Sequence, residues 1–297
     1  MGPTASGKTE LGLRWAKEQD GEIISVDSRQ VYRFLRIGTA KPEGQWHGKN
    51  YRVRGIPYHL IDLWDPADPF TAADFVRLAT KKIHQIRKRG KIPMLVGGTG
   101  LYFKALLEGL APLPPRDESL RTQWRALADE KGRPYLHAQL AKVDPQAAHQ
   151  IPANNIQRVL RALEVHHLTG KPISEWHKEH QAKLNPPNPP LQKGGAGGFE
   201  IIGLDVPREE LHKRIDKRCT AMLKNGMIEE TEQLIKEGYD LDCPALTGLG
   251  YPRVIAYLEG RLSREQLLEK LIRDTRHYAK RQMTWFRHQM KVTWKKF

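Results

Sequence analysis

The sequence predicts an α/β fold: a P-loop-type parallel sheet flanked by helices, with an inserted α-helical domain. Residues 2–9 fit a phosphate-binding loop (P-loop), and short aliphatic runs alternate with amphipathic stretches as far as about residue 109. Strand signals then nearly vanish between residues 112 and 184. We therefore expect the first part of an α/β catalytic core at 1–111, a helical insertion at 112–184, and core completion with C-terminal helices at 199–297.

The first predicted elements place polar residues at strand ends. Lys8–Gln19 is predicted as a helix, and Glu22–Val26 and Ile92–Val96 as buried strands. The first strand ends at Asp27, and the second ends at Gly97-Gly98-Thr99. Since ligands bind beyond the carboxyl ends of strands in open α/β sheets, we expect both ends and the P-loop to converge on one crevice.

Later elements are predicted from capping and composition. Thr71 followed by Asp74 resembles a capping box at the start of a helix. Asn185–Gly198 is so rich in Pro and Gly that we expect a flexible loop with no function. Phe199–Leu204 is predicted as a strand, and the last helix is predicted from about residue 263 to 290.

Composition indicates a polyanionic partner. The chain has 49 Lys and Arg residues against 34 Asp and Glu residues, a formal charge of +15, which favours nucleic acid. The alternative is a basic surface that keeps the protein in solution. No apolar run is long enough to span a membrane and no leader is visible, so we expect a cytoplasmic protein. Cys219 and Cys243 lack the spacing of a metal or redox site, and we assign them no function.

The octet Gly2-Pro3-Thr4-Ala5-Ser6-Gly7-Lys8-Thr9 fits the pattern Gly-x-x-x-x-Gly-Lys-Thr. In such loops backbone amides approach phosphate oxygens, the lysine supplies a charge, and the threonine hydroxyl reaches Mg²⁺. Only Met1 precedes the octet, although a strand normally leads into it. We therefore expect the sheet to lack a central strand, and the native chain to begin several residues upstream with an apolar strand.

Two strand ends carry residues suited to chemistry. Asp27 could bind Mg²⁺, act as a general base, or only cap a turn. The run Gly97-Gly98-Thr99-Gly100 predicts a close backbone approach to a ligand, with a hydroxyl able to contact a phosphate; a plain strand-to-helix turn is the alternative.

Three groups of basic residues are candidates for binding anions. Arg158 and Arg161 are three residues apart and are predicted on one helical face, where they bind RNA or form surface ion pairs. Arg214 and Arg218 lie one helical turn apart and could clamp a diphosphate. The last helix carries a basic stripe with interleaved aromatic residues, which suits RNA or a helix packed on a core: Arg273, Arg276, Lys280, Arg287, Lys291, Tyr278, Trp285 and Phe286.

Six ordered motifs together resemble the bacterial tRNA dimethylallyltransferase family. The match spans nearly the whole chain, and six motifs are far more specific than the loop alone. The motifs are Gly-Pro-Thr-Ala-Ser-Gly-Lys-Thr at 2–9, Val-Asp-Ser-Arg-Gln-Val-Tyr at 26–32, Gly-Thr-Ala-Lys-Pro at 38–42, Val-Gly-Gly-Thr-Gly-Leu-Tyr at 96–102, Asn-Ile-Gln-Arg-Val-Leu-Arg-Ala-Leu-Glu at 155–164 and Tyr-Ala-Lys-Arg-Gln at 278–282.

The resemblance implies transfer of a dimethylallyl group from dimethylallyl diphosphate to the exocyclic amine of adenosine 37 in tRNA. Asp27 would accept the amine proton, Thr99 would contact the nucleotide or the diphosphate, and Lys8 with Mg²⁺ would neutralise the departing diphosphate. Thr9 would be the protein contact of Mg²⁺. The other diphosphate-binding candidates are Gly2, Pro3, Thr4, Ala5, Ser6, Gly7, and Arg214 or Arg218, of which we favour Arg218 as the catalytic residue.

The same resemblance implies a tRNA anticodon stem-loop as partner. We expect a monomer that does not bind membranes. The base would leave its stack to enter the site, at a cost of a few kcal/mol. The implied tRNA-binding residues, which include parts of the insertion, are Asp27, Ser28, Arg29, Gln30, Thr99, Arg121, Gln157, Arg158, Val159, Leu160 and Arg161.

Three other functions fit parts of the sequence. A small-molecule or nucleotide kinase would use the same P-loop for a nucleoside triphosphate, but it explains neither the charge nor the later motifs. A prenyltransferase for free adenine nucleotides would not need the helical insertion. An RNA-binding protein without catalysis would not need Lys8, Asp27 and Thr99 together.

Overall fold

The structure, a computed structural model, describes residues 1–183 and 199–296. Within these residues, 1–107 and 199–296 form one compact unit, called unit 1, and 108–183 form another, called unit 2. Asn185–Gly198, which we predicted as a flexible loop, lies outside the described residues.

The first part of unit 1 alternates helices with strands. Its elements are α1 (Lys8–Glu18), β1 (Gly21–Val26), β2 (Gln45–His47), β3 (Asn50–Val53), β4 (Ile56–His59), α2 (Ala72–Lys88), β5 (Ile92–Gly97) and α3 (Gly100–Glu108). The predicted helix at Lys8 and the two predicted strands are therefore confirmed to within one or two residues. Only β1 is buried along its whole length, because β5 is buried just at Val96 and Gly97. The capping box is also confirmed, because the Thr71 hydroxyl accepts from Asp74 N and the Asp74 carboxylate accepts from Thr71 N.

These strands form a mixed sheet in the order β2-β3-β4-β1-β5. β1 pairs in parallel with β4 and with β5, but β2, β3 and β4 pair antiparallel. The prediction of a parallel sheet is thus wrong for one edge. The reason is local: Arg54 and Gly55 both have positive φ, which is typical of the two-residue turn of an antiparallel hairpin.

All the regular secondary structure of unit 2, within its described residues, is helical. Its core is apolar and includes Leu136, Leu140, Val159 and Leu160, which are completely or almost completely buried. Its elements are α4 (Glu118–Lys131), α5 (Arg133–Val143), α6 (Pro145–Gln150), α7 (Ile156–Thr169) and α8 (Ile173–Lys183).

The remainder of unit 1 contains its longest helix. The elements are β6 (Ile202–Asp205), α9 (Arg208–Lys224), α10 (Met227–Lys236), α11 (Tyr251–Leu258), α12 (Arg264–Gln289) and β7 (Thr293–Lys296). β6 begins three residues later than predicted and pairs in parallel with β7, which the sequence analysis missed. Cys219 and Cys243 are free and buried. No helix among the described residues has the length and apolar character that crossing a membrane requires.

The backbone that leads into the octet lies beside β6. The Met1 amino group donates to the Ile202 carbonyl (2.6 Å), and Leu204 N donates to the Met1 carbonyl (3.0 Å). Met1, which precedes the octet, is thereby fixed to the second sheet. The expected strand upstream concerns residues before Met1 and stays a prediction.

Candidate active site

A cavity of about 850 Å³ in unit 1 lies where the octet, β1 and α9 approach one another. An apolar wall with few charged groups is typical of a small-molecule site, whereas this cavity also carries several charged groups. Ten of the residues predicted for catalysis or binding line it: Thr4, Ala5, Gly7, Lys8, Thr9, Asp27, Ser28, Arg29, Gln30 and Arg218.

The octet turns sharply before α1 begins. Ala5 and Gly7 have φ of 62° and 87°, in the left-handed region, and α1 starts at Lys8. The Lys8 ammonium group donates to the Pro3 carbonyl (3.0 Å), which closes the loop. The first amides of α1 therefore point towards the cavity end of the helix, where an anion is favoured by the helix dipole.

Lys8 is electrostatically unusual. Burial, and then the positive charge of Arg218, lower the pKa of Lys8 to about 8, while Asp27 opposes this shift. A positive charge that burial disfavours is stabilised when an anion binds beside it. This arrangement suits a site for a phosphorylated ligand.

Only one of the two predicted diphosphate-clamping arginines lines the cavity. Arg218 Nη1 donates to the Thr4 hydroxyl (3.1 Å), which joins α9 to the octet. Arg214 instead pairs with Glu210 on its own helix, at 2.8 Å, and is not among the described residues that line the cavity. The geometry thus favours Arg218, as the sequence analysis did.

Asp27 forms a tight turn at the end of β1. Its Oδ1 accepts from Arg29 N (2.8 Å) and from Gln30 N (3.2 Å), so the carboxylate is oriented by the backbone. Thr99 supports this turn: its hydroxyl accepts from Ser28 N (3.2 Å), and its amide donates to the Val26 carbonyl (3.2 Å). The octet and Asp27 therefore line one cavity, as predicted, whereas Thr99 bonds the Asp27 turn and is not among the described residues that line the cavity.

The glycines before Thr99 approach protein groups. A Cβ atom on Gly97 would lie 2.0 Å from the Val26 carbonyl oxygen, and one on Gly98 would lie 2.4 Å from Gln282 Nε2. Within the protein, the small residues of this run allow β5 to lie against β1 and α12. Gly97 also lines the cavity, and the predicted close approach to a ligand stays a prediction.

Tyr278 and Gln282 on α12 line the cavity, although the sequence analysis did not predict either as a site residue. Gln282 accepts from Thr4 N (2.8 Å) and donates to the Gly98 carbonyl (2.8 Å), which ties the octet to the end of β5. Burial, and then Asp27, raise the pKa of Tyr278 to about 12. A signal for Gln282 exists: it is a polar residue on the buried face formed by Thr275, Ala279 and Phe286.

The oxygen donors in the cavity fit a magnesium ion. The Thr9 hydroxyl and the Asp27 carboxylate both line it, and hard oxygen ligands are those that Mg²⁺ prefers. Among residues 1–183 and 199–296 no three His, Cys, Asp or Glu side chains form a metal cluster. The donor set therefore suits an ion that keeps waters and phosphate oxygens, as Mg²⁺ usually does.

In unit 2 the residues predicted to bind tRNA fall into exposed and buried groups. Gln157 and Arg158 are exposed on α7, whereas Val159 and Leu160 are completely buried in the unit's core. The side chains of Val159 and Leu160 therefore support the helix from within, and the tRNA-contacting role of the segment 157–161 stays a prediction.

The two arginines predicted with them are held by internal bonds. Arg121 is only 3% exposed and donates to Gln157 Oε1 (3.2 Å). Arg161 bonds the buried Glu164 carboxylate (2.5 Å) and the Pro114 carbonyl (2.7 Å). Arg158 and Arg161 therefore do not form one free pair, as their spacing suggested.

The basic stripe of the last helix is largely paired as well. Arg276 bonds Asp216, and Arg287 bonds Asp205. Lys291 lies beyond the end of α12, and Phe286 is fully buried. Among the aromatic residues, the reading as core is therefore confirmed for Phe286.

Comparison with known proteins identifies relatives over the whole chain. The family model described as IPP transferase matches residues 30–289. The tRNA dimethylallyltransferase of Desulfitobacterium hafniense is 44% identical over 294 residues, covering 99% of this chain and 89% of the relative. That of Acetivibrio thermocellus is 45% identical over 295 residues, covering 99% and 89%.

Solved structures agree with the sequence relatives. A full-length tRNA isopentenylpyrophosphate transferase from Bacillus halodurans is 39% identical, with a TM-score of 0.67 and coverage of 99% of this chain and 88% of that one. A eukaryotic dimethylallyltransferase acting on tRNA is 26% identical, with a TM-score of 0.70 and coverage of 99% and 72%. The chain therefore belongs to the IPP transferase family.

Proposed function

We propose that this protein transfers the dimethylallyl group of dimethylallyl diphosphate to the exocyclic amine of adenosine 37 in tRNA and releases diphosphate. The observation that carries the proposal is one cavity lined by Lys8, Arg218 and Asp27. Two cations suit a diphosphate, and a carboxylate suits the proton of a nucleophile. The tRNA enzymes among its relatives support the same reaction.

In the proposed reaction the amine nitrogen attacks the first carbon of the prenyl group. A carbon–nitrogen bond forms as the carbon–oxygen bond to the diphosphate breaks, and the bonding electrons leave with the diphosphate. The amine proton passes to the Asp27 carboxylate, which Arg29 N and Gln30 N hold in place. Lys8, Arg218 and the octet amides stabilise the negative charge that develops on the leaving group.

Magnesium is the proposed cofactor. The octet is proposed to act as a P-loop that binds the diphosphate beside the ion. Thr9, which lines the cavity, would hold the ion through its hydroxyl oxygen. When bound, Mg²⁺ would supply positive charge to neutralise diphosphate oxygens.

We further propose tRNA as the macromolecular partner, bound through its anticodon stem-loop. The formal charge of +15 supports a polyanionic partner, and unit 2, with exposed Arg158 and Gln157, is proposed as an inserted tRNA-binding domain. The Ser28–Gln30 turn is proposed to receive the base that leaves the anticodon loop. A cytoplasmic monomer is the proposed state.

Nucleoside mass spectrometry tests the reaction. Purified protein is incubated with unmodified tRNA, Mg²⁺ and labelled dimethylallyl diphosphate, and the nucleosides are analysed after digestion. We expect label in a dimethylallyl adenosine from position 37. Transfer of label from ATP, with none from the prenyl donor, would instead indicate a kinase and overturn the proposal.

Replacing Arg218 by Gln is expected to weaken binding of dimethylallyl diphosphate by about 30-fold or more, since a charge-assisted contact to phosphate is lost. Arg214→Gln is the matched control on the same helix, because Arg214 pairs with Glu210 outside the cavity. Calorimetric titration measures both variants. Equal losses would contradict the assignment of Arg218.

The affinity for dimethylallyl diphosphate is expected to fall as the pH rises above about 8. Lys8 has a lowered pKa of about 8, and a bound anion raises that pKa. When dimethylallyl diphosphate binds above this pH, Lys8 must therefore take up a proton. The dissociation constant then rises by up to about ten-fold for each pH unit. Titrations in buffers of different ionisation enthalpy measure the uptake, which Lys8→Met should abolish.

A further inference from the structure

Glu230 on α10 binds a row of backbone amides at the edge of the cavity. Its Oε2 accepts from Arg36 N (2.5 Å) and Ile37 N (2.7 Å). Its Oε1 accepts from Gly38 N (3.1 Å) and from the Tyr251 hydroxyl (2.9 Å). Four donors thus converge on one side chain from two separate parts of the chain.

Two acceptor oxygens suit this position better than one oxygen and an NH₂ group. A carboxylate accepts on both oxygens, and successive amides that point to one centre favour a negative charge there. A glutamine of the same shape would direct its NH₂ group at one pair of these donors. At least one backbone amide of that pair would then lose its bond to the side chain, which weakens the hold on the segment.

The segment held by Glu230 lines the cavity and bonds the Asp27 turn. Gly38, Thr39 and Ala40 are cavity residues. The Gln30 side-chain amide donates to the carbonyls of Thr39 (3.4 Å) and Ala40 (3.2 Å), and Gln30 N donates to Asp27 Oδ1. Hydrogen bonds, joined by the backbone of residues 38–40 and by Gln30 itself, therefore connect Glu230 to the Asp27 carboxylate, which is proposed to accept the proton.

Close packing around Gly38 leaves residues 36–40 little room to move. A Cβ atom on Gly38 would lie 2.4 Å from the Tyr251 hydroxyl and 2.9 Å from Met227 Cε. Gly38 can approach Tyr251 and Met227 this closely because it has no side chain. A shift of the segment in the other direction would break its bonds to Glu230 or to Gln30.

We propose that Glu230 is a positioning residue for the acceptor side of the reaction: it holds residues 36–40 so that Gln30 and Asp27 keep the geometry needed to receive the amine proton. This proposal rests on the proposed prenyl transfer. It predicts an effect on the rate of the chemical step and little effect on the diphosphate, because Lys8, Thr4 and Arg218 are outside the series of bonds.

The test compares Glu230→Gln with Glu229→Gln, a neighbouring exposed carboxylate that makes none of these bonds. In Glu230→Gln we expect hydrogen exchange at residues 36–40 to rise by about ten-fold or more, and the single-turnover rate to fall by about 10- to 100-fold, since small misplacement of reacting groups is costly. Affinity for dimethylallyl diphosphate should stay within about two-fold of wild type, as expected for an interaction used only in the chemical step. Glu229→Gln should match wild type in all three.

Two results would overturn the inference. One is faster exchange with an unchanged rate, which would separate the segment from the chemistry. The other is an equal loss of rate and diphosphate affinity with faster exchange throughout unit 1, which would indicate that the whole unit is destabilised.

If Glu230→Gln does not fold, Tyr251→Phe serves as a second variant. It removes one donor to Glu230 and should give smaller changes in the same direction. Unchanged exchange at Gly38 and an unchanged rate would then count against the inference. A wild-type protein without prenyl transfer would refute the proposed function, while the exchange comparison would still decide whether Glu230 holds the segment.

Discussion

Replacement of Asp27 by Asn is expected to lower the single-turnover rate of prenyl transfer by about 10²- to 10⁴-fold, the usual contribution of a general base. The asparagine oxygen can still accept from Arg29 N and Gln30 N, so the turn should persist. What is lost is a group able to take the amine proton as the new bond forms. The effect should therefore appear in the rate and hardly at all in the affinity for dimethylallyl diphosphate.

Rapid-quench measurement of labelled tRNA gives the rate of Asp27→Asn directly. Asp68→Asn is a suitable control, because Asp68 is exposed and is not among the residues that line the cavity. If Asp27→Asn transferred the prenyl group at the wild-type rate, the base would have to be another group.

Replacement of Lys8 by Met is expected to weaken binding of dimethylallyl diphosphate by about 100-fold or more and to slow transfer, because a charge beside the leaving group is removed. The same change should not destabilise the protein. Burial lowers the pKa of Lys8 from 10.5 to about 8, so the charged lysine opposes folding below pH 8 by up to about 3 kcal/mol. That cost disappears as the pH rises above the unfolded pKa, and methionine avoids it at every pH.

Calorimetric titration and thermal unfolding at about pH 7 separate these two effects. Lys8→Met should lose affinity while its midpoint of unfolding is equal to or above that of wild type, after allowance for the lost bond to Pro3. Lys17→Met, an exposed position on the same helix, should change neither quantity. A large fall in the unfolding midpoint of Lys8→Met would contradict the inferred electrostatic cost.

The sequence was most informative where bonds are local. The α1 helix, the β1 strand and the capping box at Thr71 depend on neighbours within a few residues, and each was predicted to within one or two residues. The tight turn at Asp27 is also local, because its carboxylate binds amides two and three residues later. Six short motifs in one order along the chain were enough to indicate the family.

Tertiary structure decided which of several similar side chains reach that site. Arg214 and Arg218 look equivalent in the sequence. The way α9 packs against the octet brings Arg218 to Thr4, while Arg214 pairs with Glu210 on its own helix. Glu230 contacts amides about 190 residues earlier, and Gln282 contacts Thr4 across 278 residues. Such contacts leave no periodic pattern in a single sequence, because they depend on how distant elements pack. The sequence by itself thus determined the local elements and the chemistry available, while packing determined which groups hold the reacting carboxylate in place.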